Sequence, residues 1–324
     1  MKKKLWVIVP LLIIIISILI GTAILFLTRP VDSQSQTSQR FVIPRGQAVR
    51  VIADRLQEAG LIKNALIFQL IVKQEGLGND IQAGSFDLSP SMSTREIAQQ
   101  LTEGTNDLWV TILEGWRREE IAESLVSQDL SEFSAEEFLD LTKGTEGRLF
   151  PDTYLIPREI TAKQVVSLLE QTFERKVLAG LEKEIAASAY DFEDALIMAS
   201  IVEREARGEA ELRMVAGILW NRIEIGMALQ ADATLQYVKG YNATEKAWWS
   251  PPTAADKKLT SVYNTYRYPG LPPQPIANPS LAAIQAALNP AQTDYFYYLH
   301  DRTGKAHYAV TLDEHNANIN AYLR

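Results

Sequence analysis

Three observations place this chain in the α+β class: an N-terminal transmembrane helix, a duplicated strand/helix region, and a helix-rich C-terminal domain with a small sheet. Leu5 to Leu27 is a run of 23 residues without a charge, and a helix needs about 20 apolar residues to cross a bilayer. The order of strand-like and helix-like segments that begins at Arg40 recurs at an offset of 69 residues and further on of 68, which marks an internal repeat. From Thr161 onward apolar residues fall at helical spacing over long stretches, with strand-like runs only near the end. The boundaries are therefore 1–30 for the tip and span, 31–39 for a linker, 40–160 for the duplicated region and 161–324 for the C-terminal domain.

Lys2, Lys3 and Lys4 precede the apolar run and only Arg29 follows it closely, which orients the N-terminus toward the cytoplasm and the remainder across the membrane. The run is longer than the roughly 7–15-residue core of a cleaved signal peptide, and no small-residue cleavage pattern closes it. Pro10 falls in the first turns of the span, where it costs a helix least. Val31 to Gln39, VDSQSQTSQ, is polar and without apolar periodicity, as in a flexible tether.

Structure resumes at Arg40–Ile43, a strand-like run closed by Pro44 and Gly46. Val49, Ile52, Ala53 and Leu56 share one helical face that Gly60 stops, and Leu66–Val72 predicts a second helix ending near Gly76. Ser85–Leu88 predicts a strand, and Thr94–Leu101 a helix entered through Ser91 or Ser93. The second copy begins with the strand Trp109–Leu113; Gly115 matches Gly46, and Ile121, Ala122 and Leu125 match Ile52, Ala53 and Leu56. Tyr154–Ile156 followed by Val165, Val166 and Leu169 matches Phe86–Leu88 followed by Ile97, Ala98 and Leu101.

A long helix is predicted over Thr161–Leu181, a central one over Asp194–Arg207, and another over Glu209–Ile225 with Gly226 as its stop. Gln230–Pro279 is proline-rich and poor in helix formers. A helix over Leu281–Leu288 is capped by Ser280 and stopped by Pro290. A strand at Tyr295–Leu299, its hairpin partner at Ala306–Ala309 and a closing helix at Leu312–Leu323 complete the chain.

Composition narrows the chemistry. The 324 residues are 47% hydrophobic and 22% charged, ordinary globular proportions that suggest two or three domains. The net charge of −8, with no basic run beyond Lys2–Lys4, argues against a nucleic-acid partner. Without cysteine there is no disulfide, thiol nucleophile or thiolate metal site. His300, His307 and His315 all fall in the last 25 residues, with no nucleophile motif before them and no zinc-binding spacing between them. Phosphate-binding and dinucleotide fingerprints are absent as well. No metal and no cofactor is expected, and carboxylate acid–base chemistry remains.

The stretch that could carry it is Asp194–Arg207, DALIMASIVEREAR, apolar almost all round before Glu203, Arg204 and Glu205, as in a helix packed on several sides. Glu203 falls in line with Leu196 and Ala199. A carboxyl set among apolar side chains is held toward its neutral form by desolvation, and a neutral carboxyl can protonate a leaving group. The plainer reading is that Glu203 marks the solvated end of a core helix. Glu205, lying over Ile201 and Val202, is the alternative acid, and periodicity does not choose between them. Companions in the proline-rich region are Gln230, Asp232, Trp248, Trp249, Tyr263, Asn264, Tyr266 and Tyr268. Amide and carboxylate groups beside aromatic faces suit a carbohydrate cleft, although the tryptophans also suit core packing and Asn264 an Asx-turn.

ASIVEREA (199–206), GRLFPDTYL (147–155), NRIEIGMALQADAT (221–234), SVYNTYRYPGLPPQPIANPS (261–280) and LDEHN (312–316) together resemble the endolytic murein transglycosylase family, the YceG-like proteins, in order and spacing. The similarity covers essentially the whole chain, including the anchor and a LysM-like region where the repeat lies. Ala233 departs from the proline usual there, and Arg148 from a frequent aromatic; neither removes a carboxyl or amide group. The resemblance implies Glu203 as the catalytic acid/base, with Gln230, Asp232, Tyr263, Asn264 and Tyr266 positioning substrate. It also implies peptidoglycan glycan strands as substrate, cut internally between MurNAc and GlcNAc to leave a 1,6-anhydro end. Membrane peptidoglycan synthases are then expected partners, and the catalytic domain is expected outside the bacterial inner membrane. Two other readings stay open: a wall-binding scaffold without turnover, and a hydrolytic muramidase, for which Asp232 is the candidate second carboxylate.

Overall fold

A computed structural model of the chain describes residues 16–19, 21–44, 46–104 and 107–324. Most of the expected membrane span, residues 5–15 and 20, lies outside the described residues. Residues 16–19 and 21–28 are helical and expose Leu19, Leu25 and Phe26. Among the described residues no helix is long and apolar enough to cross a membrane.

Residues 39–173 fold as two successive β-α-α-β-α runs. The first is β1 (Gln39–Ile43), α1 (Val49–Glu58), α2 (Ala65–Gln74), β2 (Gly84–Leu88) and α3 (Thr94–Gln100); the second is β3 (Asp107–Thr111), α4 (Arg118–Val126), α5 (Ala135–Leu141), β4 (Thr153–Pro157) and α6 (Ala162–Phe173). In each run the two strands pair with one another. Packing nevertheless divides the chain at Trp109, into residues 1–109 with 155–157 and residues 110–154 with 158–324. The helices of the second copy thus belong with the C-terminal helices.

In the first unit β1 and β2 are antiparallel, with Phe41 opposite Phe86 and Gln39 opposite Leu88. Alternation turns Phe41 and Ile43 inward, onto Ile52, Ala53 and Leu56 of α1 and Phe68 of α2. Asn64 caps α2 by accepting from Ile67 N at 3.1 Å, and Ser93 with Glu96 forms a reciprocal capping box at α3. Residues 31–38 carry no helix or strand, and Gln39, the last residue of the expected 31–39 linker, already belongs to β1. Asp32 N nonetheless donates to Pro90 O at 3.0 Å, fastening that stretch to the unit.

The second unit continues through α7 (Glu182–Ala187), α8 (Phe192–Glu205), α9 (Glu209–Glu224), α10 (Asp232–Lys239), α11 (Leu281–Leu288), β5 (Tyr297–His300), β6 (Ala306–Ala309) and α12 (Leu312–Tyr322). The single helix expected over 161–181 is interrupted: α6 passes into a π turn over Glu174–Leu178, where Ala179 N donates to Glu174 O at 2.8 Å. A second departure is α10, a helix inside the region read as irregular; it buries Ala233, Thr234 and Leu235. Helix α8 is central as predicted, with every residue from Ala195 to Val202 buried. It packs on α9, α10 and α11, in a core with Val215, Leu219, Ile276 and Ile284. Ala195, Ala199, Ala283 and Ala287 let these helices approach closely. Asp191 caps α8, and β5 and β6 form the expected hairpin.

Candidate active site

Glu203 sits in the last turn of α8, past the buried run, and is only half-buried. It is therefore not the enclosed acid that the neighbouring apolar residues suggest. Its Oε2 accepts two hydrogen bonds from one residue, from Ser280 N at 2.9 Å and Ser280 Oγ at 2.6 Å. Ser280 is also the N-cap of α11 and accepts from Ala283 N at 3.1 Å. The carboxylate thus faces the positive end of α11, on a hydroxyl whose own orientation is fixed by the cap. The group borders a cavity of about 410 Å³ lined also by Glu114, Glu209, Leu212, Leu281 and Gln285.

The backbone around this carboxyl is held by Asn278, which is 0% exposed. Its Nδ2 donates to Trp116 O at 3.0 Å and Glu146 Oε1 at 2.8 Å. Its Oδ1 accepts from Gly147 N and Leu149 N, both at 2.9 Å. Its main chain bonds twice more, to Trp116 O and from Gly115 N, both at 2.8 Å. One saturated amide thereby ties three loops together two residues before Ser280. At Gly147, with φ +88°, a Cβ would lie 2.7 Å from Pro275 Cγ; only glycine fits there.

Glu146, 5% exposed, also accepts from Arg118 N at 3.1 Å. Burial, then the charge of Glu119, pushes its carboxyl up to about 8, against the opposing pull of Arg117 and Arg118. The unfolded chain ionises near 4.5 while the folded protein keeps its proton, so this group's contribution to stability falls as pH rises from about 4.5 through about 8. Unfolding of Glu146→Gln, followed by denaturant between pH 5 and pH 8, is expected to lose at least ~1 kcal/mol less stability over that interval than the parent.

The other face of the α8 terminus carries Glu205. Two residues along a helix rotate a side chain by roughly 200°, so Glu203 and Glu205 point apart. Glu205 spends both oxygens inside the protein: Oε1 accepts from Ala233 N at 3.2 Å and Oε2 from Tyr298 OH at 2.9 Å. Burial pushes its carboxyl up. Three of the predicted substrate residues gather beside it in a second cavity of about 380 Å³: Gln230, Asp232 and Tyr266, with Arg222 and Tyr298. Tyr266 OH donates to Asp232 Oδ1 at 2.6 Å. Gln230 holds a left-handed φ of +50°, strained for a side-chain-bearing residue, with its N–H on Thr265 O at 3.1 Å.

Asn264 and Tyr263 join neither cavity lining. Asn264 is fully buried and organises its own loop, donating to Lys257 O and Leu259 O and accepting from Tyr266 N; the Asx-turn reading describes it. Tyr263 packs on Tyr237 with ring centroids 5.0 Å apart. Trp248 and Trp249 turn their indole N–H groups to Glu123 and Glu120, and Arg204 lies over the Trp249 ring at 4.0 Å. Sequence reasoning missed Glu114 and Asn278 and took Ser280 for a helix cap alone. The signal for Glu114 was present in the repeat, where the residue before the shared glycine is Arg45 in one copy and Glu114 in the other. Among the described residues no group of three or more metal-ligating side chains is assembled.

Fold and cavity together define a class: a helical domain built round one buried helix, whose terminal carboxyl is held by a capping serine at a polar cleft. The chain belongs to the YceG-like family, whose model matches residues 41–321. It is 30% identical to an endolytic murein transglycosylase of Bacillus subtilis over 94% of this chain and 91% of that protein. An endolytic murein transglycosylase of Streptococcus pneumoniae is 28% identical over 90% of this chain, which spans 59% of that longer relative. A crystal structure of a yceG-like protein from Listeria monocytogenes superimposes with a TM-score of 0.57 at 28% identity, covering 87% of this chain and 99% of that one.

Proposed function

We propose that this protein is an endolytic lytic transglycosylase that cuts nascent peptidoglycan strands between MurNAc and GlcNAc, with Glu203 as its acid and base. The observation that carries the reading is the Glu203 carboxyl, fixed through one oxygen by Ser280 at the edge of a polar cavity. The names of the relatives from Bacillus and Streptococcus support the reaction class. Glu205, the alternative acid, has both oxygens engaged and is the poorer candidate.

In the first step Glu203 gives its proton to the glycosidic oxygen as the C1–O bond breaks, and the positive charge left on the sugar is met by its own N-acetyl oxygen. The carboxylate then takes the proton of the muramoyl C6 hydroxyl as that oxygen closes on C1. The 1,6-anhydro ring forms, Glu203 regains its proton and no water is consumed. One carboxyl suffices because the substrate supplies the nucleophile intramolecularly, at high effective molarity, whereas hydrolysis ordinarily uses two.

Residues 5–27 anchor the enzyme in the inner membrane in this reading, with residue 1 in the cytoplasm and the catalytic domain outside. The tether then keeps the cleft near newly made strands and the membrane synthases that extrude them, and the LysM-like region spaces or docks it on glycan. Uncrosslinked glycan strands digested by the protein test the reading. Internal cuts with anhydro-MurNAc ends are expected; binding without any cleavage would replace it with the scaffold reading.

A further inference from the structure

Helix α2, ALIFQLIVKQ, is apolar nearly all round, yet the fold covers only one side of it. Ala65, Phe68, Ile71 and Val72 are buried, while Leu66 is 73% exposed and Leu70 50%. Leu66, Leu70 and Lys73 recur at helical spacing on one face, and Lys63 precedes the helix, so lysines bracket the two bare leucines. Glu75, just past the stripe, is paired with Arg95 at 2.5 Å. The stripe begins where the chain leaves its N-terminal apolar run. Lys63 Nζ lies 4.2 Å from the centre of the Phe26 ring and donates to Phe26 O at 3.4 Å. Thr94 Oγ1 donates to Leu27 O at 3.4 Å, and Asp32 N to Pro90 O at 3.0 Å. Phe26, Leu27 and Asp32 are thus fastened to this unit, and Leu70 stands about 10 Å along α2 from Asn64. Charge agrees with a surface set against anionic lipid. Residues 40–109 carry seven basic and eight acidic side chains, whereas residues 110–324 carry 21 and 31, so the acidity that such lipid repels lies outside this unit.

We propose that the Leu66 and Leu70 face of α2, flanked by Lys63 and Lys73, is a membrane-docking surface that seats the N-terminal unit on the bilayer beside the anchor. This rests on residues 5–27 spanning the membrane in the proposed reading. Phe26 and Leu27 then mark the edge of the apolar layer, and Lys63, bonded to Phe26, lies at that level. There its stem covers apolar surface while its ammonium reaches water and lipid phosphate. One turn of α2 further on, the leucines meet the boundary between headgroups and acyl chains, where apolar helix faces with basic flanks insert by about 5–10 Å. The anchor makes this docking intramolecular, so a face of two leucines suffices where a free helix needs a longer one. A docked unit does not swing on residues 31–39; it is held at the surface that the strands leave.

The chain has no cysteine, so a single introduced thiol carries a fluorophore without background. Full-length Leu66→Cys, Leu70→Cys and Ile16→Cys proteins are labelled and reconstituted into vesicles of phosphatidylethanolamine and phosphatidylglycerol. The vesicles carry lipids with a nitroxide quencher either near the headgroup or near the end of the acyl chain. Labels at 66 and 70 are expected to be quenched more by the shallow nitroxide than by the deep one, as a depth of about 5–10 Å requires. The label at 16, in the middle of the span, is quenched more by the deep one. Adding Leu66→Asp, at an exposed position where the fold tolerates a charge, is expected to abolish most of the quenching at 70 and leave that at 16 unchanged. Quenching at 16 without quenching at 66 and 70 would overturn the proposal and keep the anchor. No quenching at 16 would refute the anchor reading and the proposal with it. Emission at 70 that shifts with protein concentration and ignores the lipid quenchers would overturn the proposal as well, because a second copy of the chain would then cover this face.

Discussion

Replacing Glu203 by glutamine is expected to lower turnover of glycan strands by about a thousandfold or more, because in the proposed reaction one group serves both proton transfers. General acid or base catalysis by a positioned side chain contributes typically ~10²–10⁴-fold, and an amide performs neither role. The substitution is nearly isosteric, and the glutamine carbonyl still accepts from Ser280 N and Oγ, the donors now on Oε2. Stability should therefore stay within about 0.5 kcal/mol of the parent. Released muropeptides measured beside a thermal unfolding curve separate loss of chemistry from loss of fold. A variant that folds like the parent and cleaves like it would remove Glu203 from the mechanism.

The largest structural effect is expected at Asn278, whose side chain hydrogen-bonds to Trp116, Glu146, Gly147 and Leu149. Truncation to alanine strands the N–H groups of Gly147 and Leu149 and takes one donor each from Trp116 O and Glu146, which keep the Asn278 main-chain N–H and the Arg118 N–H. Each buried polar group left unpaired costs about 1–3 kcal/mol, so the total should reach ~4 kcal/mol and lower the Tm by about 10 °C. Activity should fall further than stability explains, since Gly115 and Ser280 are both set by this residue. A Tm within a degree or two of the parent's would show that the loops are held in some other way.

What the sequence made legible was local. The Ser93–Glu96 capping box, the Ser280 cap and the glycine stops at Gly60 and Gly226 are written in single residues with one physical meaning each. The apolar run of α8 predicted its central place because no side of such a helix can face water. The repeat predicted the order of ten elements. The π turn after Phe173 was not legible, since one extra residue in a turn leaves apolar periodicity almost intact. Nor was α10: its neighbours are rich in proline and polar side chains, and its buried face is only Ala233, Thr234 and Leu235.

The site was legible residue by residue but not as an arrangement. The sequence singled out Glu203, and Gln230, Asp232 and Tyr266 gather round Glu205 on the opposite side of the α8 terminus. Spacing in sequence does not say which of two carboxyls, two residues apart on a helix, a distant loop will meet. Ser280 holds Glu203, and Glu114 lines the same cavity. They come from segments far apart in the chain, joined through the main chain of Asn278, and no periodicity links them.

The most direct test of the central claim is the chemical end left on cleaved strands. Glycan digested with the wild-type protein and resolved by mass spectrometry should give MurNAc termini lighter by one water than hydrolytic ones, absent from the Glu203→Gln digest. Reducing MurNAc ends in the wild-type digest would contradict the account and make the protein a hydrolase.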